Sequence, residues 1–375
     1  MSEHHDNHHH VENDEEYKGL TVNNGIEQPK SYDDNAIARF LQHKKRQALT
    51  LEQYVDGILS GDRTILSQAV TLVESSKREH YDLAQQIIER CLPHSGKSIR
   101  IGITGVPGVG KSTTIETLGK HVTEQGHKLA VLAIDPSSER TKGSILGDKT
   151  RMEELCNNPN AYIRPSPSAG SLGGVARKTR ETIILCEAAG FDVIFIETVG
   201  VGQSETAVHS MVDFFLLLML SGAGDELQGI KRGIMEMADA ISINKADGDN
   251  IERAELARVQ YMNALHLFPT SDSGWKPQVL TSSAYKGTGI AEIWKTAKNY
   301  MAFTNENNYF QHRRSEQAKY WMYETINEQL RASFYQNQTI KNIIAKKELQ
   351  VLNDEVSSFI AAKQLLDTYY QTQKD

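Results

Sequence analysis

Between residues 33 and 93, apolar side chains recur every three or four positions, the spacing of one face of an α-helix. Gly61-Asp62 interrupts this pattern between two of the apolar stripes. The pattern predicts a helical segment over residues 31–95. Residues 1–30 are polar and histidine-rich, so we expect a disordered tail there. Its histidines are His4, His5, His8, His9 and His10.

Six short apolar runs follow, separated by helical or polar stretches. They span Ile99–Thr104, Leu129–Ile134, Val193–Glu197, Phe214–Leu220, Ala240–Asn244 and Gln278–Thr281. This alternation is typical of an α/β fold in which a mostly parallel central sheet is flanked by helices, here expected within residues 96–300. The most apolar run, Phe214–Leu220, is far shorter than the roughly 20 residues of a membrane-spanning helix, so we interpret it as a buried strand.

The pattern changes to long helices after Gly289. Apolar stripes predict helices over Arg313–Phe334 and Glu355–Tyr370, in a C-terminal helical segment of residues 301–375. Helices of this length must bury their apolar stripes. They do so either against the α/β domain or in a subunit interface, and the sequence leaves both open.

Composition excludes several classes of partner. The 375 residues carry a net charge of −7, so no broad basic field attracts nucleic acid or an anionic membrane, and we expect neither as a partner. The three cysteines lack C-x-x-C spacing, and no secretory signal opens the chain. We therefore expect a reducing, cytoplasmic location and no structural zinc.

Residues 105–113 match the phosphate-binding pattern G-x-x-x-x-G-K-[ST]. This phosphate loop reads Gly105-Val106-Pro107-Gly108-Val109-Gly110-Lys111-Ser112-Thr113, and it joins a predicted strand to a helical run from Thr114 to Gln125. Its backbone N–H groups and the positive end of the helix favour a polyphosphate. Lys111 is predicted to reach the β- and γ-phosphates and the Ser112 hydroxyl to bind Mg²⁺. The loop predicts a nucleoside triphosphate site.

A second motif predicts which base is bound. Asn244-Lys245-Ala246-Asp247 follows an apolar strand, where a doubly wound sheet presents its ligand-binding edge. The Asp247 carboxylate can accept two hydrogen bonds from guanine, whereas adenine offers no such donor pair. We expect Asn244 to connect this loop to the phosphate loop and the Lys245 stem to cover the base. Ser282, Ser283 and Ala284 form a second candidate base-contacting turn. The expected ligands are GTP and GDP.

Carboxylates at strand ends are candidate magnesium ligands beside Ser112. Asp135 and Glu197 each close a predicted strand, and Asp148 lies in a polar stretch between them. A strand-terminal acid also serves as a helix cap or turn former, and this alternative stays open for each residue.

Three polar, glycine-containing segments are candidate switches that respond to hydrolysis. They cover residues 136–150, 197–205 and 221–233. In the second, Glu197-Thr198-Val199-Gly200 occupies the place of a D-x-x-G motif, and the Gly200 N–H is expected to reach the γ-phosphate. Hydrolysis by in-line attack of water would rely on Lys111, Mg²⁺ and loop N–H groups. Arg140, Arg151 and Gln203 are weaker candidates for catalytic contacts.

Together these motifs resemble the methylmalonyl-CoA mutase-associated GTPases, the MeaB/ArgK group. The resemblance runs from about Ala48 to Leu366, and the long motifs after Asp135 and Glu197 are its most specific part. It implies a P-loop GTPase that gates adenosylcobalamin delivery to an acyl-CoA mutase and helps to eject damaged cofactor. It also implies roles in metal binding and catalysis for Asp135, Asp148 and Glu197, a relay to the mutase through Gly222–Gly233, and a homodimer formed by the C-terminal helices.

Two alternatives remain at the level of sequence. The histidine-rich tail is also compatible with a nickel metallochaperone GTPase. An ATPase or kinase linked to amino-acid transport would require adenine preference, against which Asp247 argues.

Overall fold

The computed structural model describes residues 49–75, 77–134, 152–165, 172–198, 204–222 and 232–373. The predicted tail and the candidate residues Asp135, Asp148 and Gly200 lie outside these ranges. So do Arg140, Arg151, Gln203 and most of the three candidate switch segments. Within the described ranges, no helix has both the length and the apolar character needed to cross a membrane.

In the described part of the N-terminal segment, three helices precede the sheet, as the apolar stripes there predicted. They are α1 (Leu51–Leu59), α2 (Arg63–Glu74) and α3 (Arg78–Cys91), followed by a 3₁₀ turn at Leu92–His94. Thr50 and Gln53 form a capping box at the start of α1, and Asp62 caps α2 through the N–H groups of Thr64 and Ile65. The break at Gly61-Asp62 is confirmed.

The centre of the molecule is a seven-stranded sheet in which every pairing is parallel. Its strands are β1 (Ile99–Gly105), β2 (Leu129–Ile134), β3 (Ala161–Pro165), β4 (Val193–Thr198), β5 (Phe214–Leu220), β6 (Ala240–Asn244) and β7 (Gln278–Thr281). They lie in the order β3-β2-β4-β1-β5-β6-β7, so the strand of the phosphate loop is central. The predicted α/β class is confirmed.

The edge strand β3 is absent from the strands that the sequence predicted. Its five residues include Arg164 and Pro165, and two of its positions are only half-buried, so no clear apolar alternation marks it. Its pairing along β2, from Leu129 with Ala161 to Ala133 with Pro165, defines it as a strand.

The helices between the strands cover the sheet. They are α4 (Lys111–Glu124), α5 (Glu153–Asn157), α6 (Leu172–Ala188), α7 (Ser204–His209), α8 (Arg232–Met237), α9 (Ile251–Leu265) and α10 (Ile290–Glu306). Aliphatic side chains of β1, β4 and β5 form the main core with α4 and α10, and Trp294 and Tyr300 are the largest α10 side chains in it. The central strands therefore hold the phosphate loop on a rigid support.

Three helices follow α10 and form the C-terminal arm, residues Tyr309–Thr372. They are α11 (Tyr309–Gln336), α12 (Gln338–Leu352) and α13 (Ser358–Thr372). Two were predicted with slightly different ends, whereas α12 was missed although Ile340, Ile343 and Ile344 have helical spacing. The predicted segment boundary after residue 300 falls inside α10. Residues Thr50–Asp375 cluster as one compact unit.

Candidate nucleotide-binding site

The phosphate loop connects β1 to α4 at the carboxyl edge of the sheet. Gly105 lies so close to β5 that a Cβ there would meet the Leu218 carbonyl oxygen at 2.5 Å. Gly110 has φ 95°, and a Cβ there would meet Asn244 Nδ2 at 2.9 Å. These two positions require glycine because any larger residue would displace a neighbouring strand or the Asn244 amide.

Lys111 begins α4, and its side chain folds back over the loop. Its Nζ donates to the carbonyl oxygens of Gly105 at 2.9 Å and Val106 at 3.3 Å. Burial lowers the pKa of Lys111, and the carboxylates of Glu197 and Glu205 oppose that shift. The ammonium therefore lies inside the curve of the loop, where an anionic ligand would stabilise its charge.

The structure brings two of the predicted magnesium ligands together. Ser112 Oγ is 3.4 Å from Glu197 Oε1, and both side chains are partly buried. Glu197 reaches this position because β4 runs parallel to β1, with Ile103 paired to Glu197. A hydroxyl and a carboxylate are hard oxygen donors that suit Mg²⁺. The donor set fits the ion.

Asn244 connects residues 244–247, the predicted base-specifying loop, to the phosphate loop, as the sequence predicted. Its Nδ2 donates to the Val109 carbonyl at 2.7 Å, and its Oδ1 accepts from the Ala284 N–H at 3.1 Å. The side chain is buried, so both contacts are shielded from water. One amide thus holds three segments of the site in register.

Asp247 lies beside the second predicted base-contacting turn. Its carboxylate accepts a hydrogen bond from the Ser283 hydroxyl, and Ser283 Oγ also accepts from the Lys286 N–H. Lys245 adopts φ 60°, a left-handed conformation that is uncommon for residues other than glycine. The Asn250 amide holds it by donating to the Lys245 carbonyl at 2.7 Å. Such a conformation is typical of ligand-binding loops.

Several hydroxyl contacts that support the site were not predicted from the sequence. Ser242 and Ser282 share a buried hydrogen bond of 2.7 Å, and Thr117 Oγ1 donates to the Ala284 carbonyl at 2.8 Å. Thr198 Oγ1 donates to Thr104 Oγ1 at 2.8 Å between β4 and β1. Isolated Ser and Thr residues carry no distinctive pattern, and only the tertiary structure shows which groups they meet.

The site therefore combines a phosphate loop, a lysine, two oxygen donors and an aspartate beside a fixed turn. Most of the predicted site residues lie at the carboxyl edge of the sheet: the phosphate loop, Glu197, Asn244, Lys245, Asp247 and residues 282–284. Three others lie outside the described residues: Asp135, Asp148 and Gly200. Positive-φ glycines and buried polar side chains converge there, as expected of a phosphate site.

Comparison with known proteins agrees with this geometry. The family model described as methylmalonyl Co-A mutase-associated GTPase MeaB matches residues 66–339. A probable GTPase of Mycobacterium tuberculosis is 49% identical over 318 residues, covering 85% of this chain and 95% of that protein. The mitochondrial methylmalonic aciduria type A homolog of Mus musculus is 46% identical, covering 85% and 80% respectively.

The GTPase ArgK of Escherichia coli is 43% identical over 86% of this chain and 98% of its own. A crystal structure described as a LAO/AO transport system kinase superposes with a TM-score of 0.68 at 36% identity, covering 86% of this chain and 99% of that one. These matches span the α/β domain and reach into the helices that follow it. The chain belongs to the family of methylmalonyl-CoA mutase-associated GTPases, MeaB.

Proposed function

We propose that the chain hydrolyses GTP to GDP and phosphate, with Mg²⁺ as the required ion. The observation that carries the proposal is the Asn244 side chain, which joins the phosphate loop at Val109 to the turn at Ala284 beside Asp247. A site for phosphates and a site selective for guanine are thereby held at one fixed separation. That arrangement suits a single guanosine triphosphate.

Each residue of the site has a specific part in this proposal. The loop N–H groups and the Lys111 ammonium stabilise negative charge that spreads over the γ-phosphate as water attacks. Ser112 and Glu197 would hold Mg²⁺, which when bound neutralises phosphate charge. Asp247 accepts from the guanine ring N–H and exocyclic amine, while Ser283 orients its carboxylate. Asp135, Asp148 and Gly200 are proposed to complete the metal and γ-phosphate contacts.

We further propose that the client is an adenosylcobalamin-dependent acyl-CoA mutase. Support comes from the family's description as mutase-associated and from the relative named for methylmalonic aciduria. The chain would gate cofactor delivery to that mutase and help to reactivate it, with hydrolysis as the timing step. All three cysteines lie within the described residues and none forms a disulfide, which suits a reducing, cytoplasmic setting.

The C-terminal arm is proposed to form a homodimer. Large apolar side chains on its three helices face solvent in the single chain, and Phe359 is 86% exposed. The others include Tyr323, Ile326, Leu330, Leu349, Leu352, Ile360 and Leu366. A surface of this kind is typical of a subunit interface, because a second copy would remove it from water.

Single-turnover hydrolysis tests the proposal. We expect slow turnover by the chain alone, and an acceleration of about tenfold or more when the client mutase orders the switches. The assay would compare mutases specific for methylmalonyl-CoA, isobutyryl-CoA and ethylmalonyl-CoA, with the Lys111→Ala chain as the blank. Equal rates with and without every mutase would contradict the chaperone role, and no hydrolysis at all would contradict the GTPase itself.

The two alternative functions have weaker support. Among the described residues no cluster of three or more His, Cys, Asp or Glu side chains could hold a metal ion, and the histidine-rich tail lies outside them. A kinase or ATPase linked to transport is suggested by the name of the related LAO/AO transport system kinase. Against it, the Asp247 carboxylate can accept from the two donors of guanine, a pair that adenine lacks.

A further inference from the structure

Helix α7 lies between the nucleotide site and the C-terminal arm. Glu205 lies in its first turn and is only 2% exposed, and its carboxylate interacts electrostatically with the Lys111 ammonium. The helix also packs against β1 and β4, the strands that lead to the phosphate loop and Glu197. Only five residues separate the start of α7 at Ser204 from Thr198 at the end of β4. With six residues at about 1.5 Å each, α7 spans about 9 Å. One end of this short helix therefore faces the phosphate loop.

The other end of α7 leads into a segment that we call the α7–β5 linker; it comprises His209, the last residue of α7, and residues 210–213. Four side chains of α11 bond to it. The Arg313 guanidinium donates to His209 Nε2 at 3.1 Å, and Trp321 Nε1 donates to the Ser210 carbonyl at 3.1 Å. Gln317 Nε2 donates to the Val212 carbonyl at 2.8 Å. Arg314 binds the Asp213 carboxylate at 2.9 and 2.7 Å.

These contacts come from one face of α11, because its positions 313, 314, 317 and 321 follow helical spacing. Burial lowers the pKa of His209 to about 3, with a further contribution from Arg313, so the imidazole is neutral and Nε2 accepts. The Ser210 and Val212 carbonyls precede β5 and accept hydrogen bonds from α11 side chains. Directional bonds of this kind fix the position of α11 along the linker, whereas apolar packing alone tolerates sliding.

We propose that α7 and the α7–β5 linker transmit the nucleotide state of the phosphate loop to α11, so that the C-terminal arm changes its packing between the GTP and GDP states. The proposal rests on the proposed function, since it requires a guanine nucleotide at Lys111. We expect a displacement of α7 to reach the linker because the helix is short and packs against α6, α8, β1 and β4. Coupling of this kind is reciprocal. If the bound nucleotide changes the affinity of the arm for a partner by some factor, that partner changes the affinity for the nucleotide by the same factor.

Hydrogen exchange on the full chain tests this coupling, with GDP compared against a non-hydrolysable GTP analogue. In the wild type we expect nucleotide-dependent exchange in peptides covering residues 204–213 and also residues 309–322. The Gln317→Met variant removes the donor to the Val212 carbonyl while nearly keeping side-chain volume. In this variant, the difference in exchange between the two nucleotides should persist at residues 204–213. At residues 309–322 it should fall to half of the wild-type difference or less.

The matched control is Gln329→Met, the same substitution about three turns further along α11. Gln329 donates to the Tyr81 hydroxyl at 3.1 Å and does not touch the linker. This variant should keep the wild-type response. If Gln317→Met does not fold, Trp321→Phe serves instead: it removes the indole N–H together with one ring of the indole and retains an aromatic ring beside Arg180.

Two measurements distinguish a failure of the coupling from a failure of the proposed function: calorimetry reports nucleotide binding, and hydrogen exchange reports the response of the arm. Binding without any change at residues 309–322 of the wild type overturns the coupling alone. So does a full response in Gln317→Met, or an equal loss in Gln329→Met. Absence of guanine-nucleotide binding overturns the proposed function and the coupling with it.

Discussion

The carboxyl ends and the amino ends of the parallel strands, which we call the carboxyl edge and the amino edge of the sheet, are stabilised by different kinds of group. At the carboxyl edge, hydroxyls, side-chain amides and backbone groups hold the site, as in the contact of Asn244 with Val109. At the amino edge, buried ion pairs join β1, β5 and β6 to their surroundings. They are Arg100–Glu187, Arg314–Asp213 and Arg313–Asp239. The carboxyl edge therefore keeps charged groups available for a ligand, whereas the charged side chains of the amino edge pair with one another.

This difference teaches that nucleotide binding and stability are separated across the sheet. Burial lowers the pKa of Lys111, so its ammonium is costly without a ligand. Asp213 has a side chain only 1% exposed and is fully engaged, since Arg314 and the Arg100 N–H both donate to it. Substitutions at the carboxyl edge should therefore impair ligand binding, and those at the amino edge should lower stability.

Lys111→Ala should give the largest effect. Because it removes the charge proposed to face the γ-phosphate, we expect GTP hydrolysis to fall by about 10³-fold or more, equivalent to about 4 kcal/mol. The free energy of unfolding should be unchanged or slightly higher. Single-turnover kinetics and urea denaturation measure the two quantities. The control is Lys120→Ala, also on α4, which should change neither the hydrolysis rate nor the free energy of unfolding. A large loss of stability in Lys111→Ala would contradict the distinction between the two edges.

Asp213→Asn should show the opposite behaviour. The amide cannot accept from both Arg314 and the Arg100 N–H as the carboxylate does, so a buried guanidinium loses its counter-charge. We expect a loss of about 3 kcal/mol in the free energy of unfolding with nucleotide affinity nearly unchanged. Asp192→Asn removes a carboxylate whose side chain is 49% exposed, and it should cost less than about 1 kcal/mol. Equal losses in the two variants would show that the amino edge is not a stabilising network.

Asp247→Asn tests the base-specifying loop. The substitution replaces the two acceptor oxygens of the carboxylate by one acceptor and one donor. The affinity for GTP should therefore fall about 100-fold, or about 2.7 kcal/mol, and the affinity for xanthosine triphosphate should rise. Titration calorimetry with both nucleotides gives the ratio. Unchanged GTP affinity would remove the guanine assignment. The free energy of unfolding should stay close to that of the wild type, as for other changes at the carboxyl edge.

His209 gives the smallest effect, and it depends on pH. Its pKa is lowered to about 3 in the folded chain, so the folded state binds fewer protons than the unfolded state between pH 3 and 6.5. Stability from this group is therefore present above pH 6.5 and declines as pH falls. The loss between pH 7 and 5 should be about 2 kcal/mol.

Urea denaturation at pH 7, 6 and 5 measures this effect as the difference between the wild type and His209→Gln. Asp239 acts in the opposite sense, because burial raises its pKa to about 6 and stability from it is lost as pH rises through that value. Asp239 is present in both proteins, so its contribution largely cancels. Parallel pH profiles for the two proteins would contradict the neutral state of His209.

The sequence alone determined the fold class and predicted the residues of the nucleotide site, because both depend on local patterns. Continuous apolar runs indicate buried parallel strands, and a phosphate loop works through its own backbone and the adjacent lysine. Asn244 was placed correctly for the same reason, since the motif directly follows a strand. The missed strand β3 has no such pattern, and its identity depends on pairing with β2.

Only the tertiary structure decided which distant polar groups meet. Ser112 and Glu197 are 85 residues apart, and Gln317 and Val212 are 105 apart. Periodicity reports which face of an element is buried, but not which element covers it. The bonds from α11 to the α7–β5 linker therefore follow from the parallel order of the strands and the packing of α11 against the amino edge.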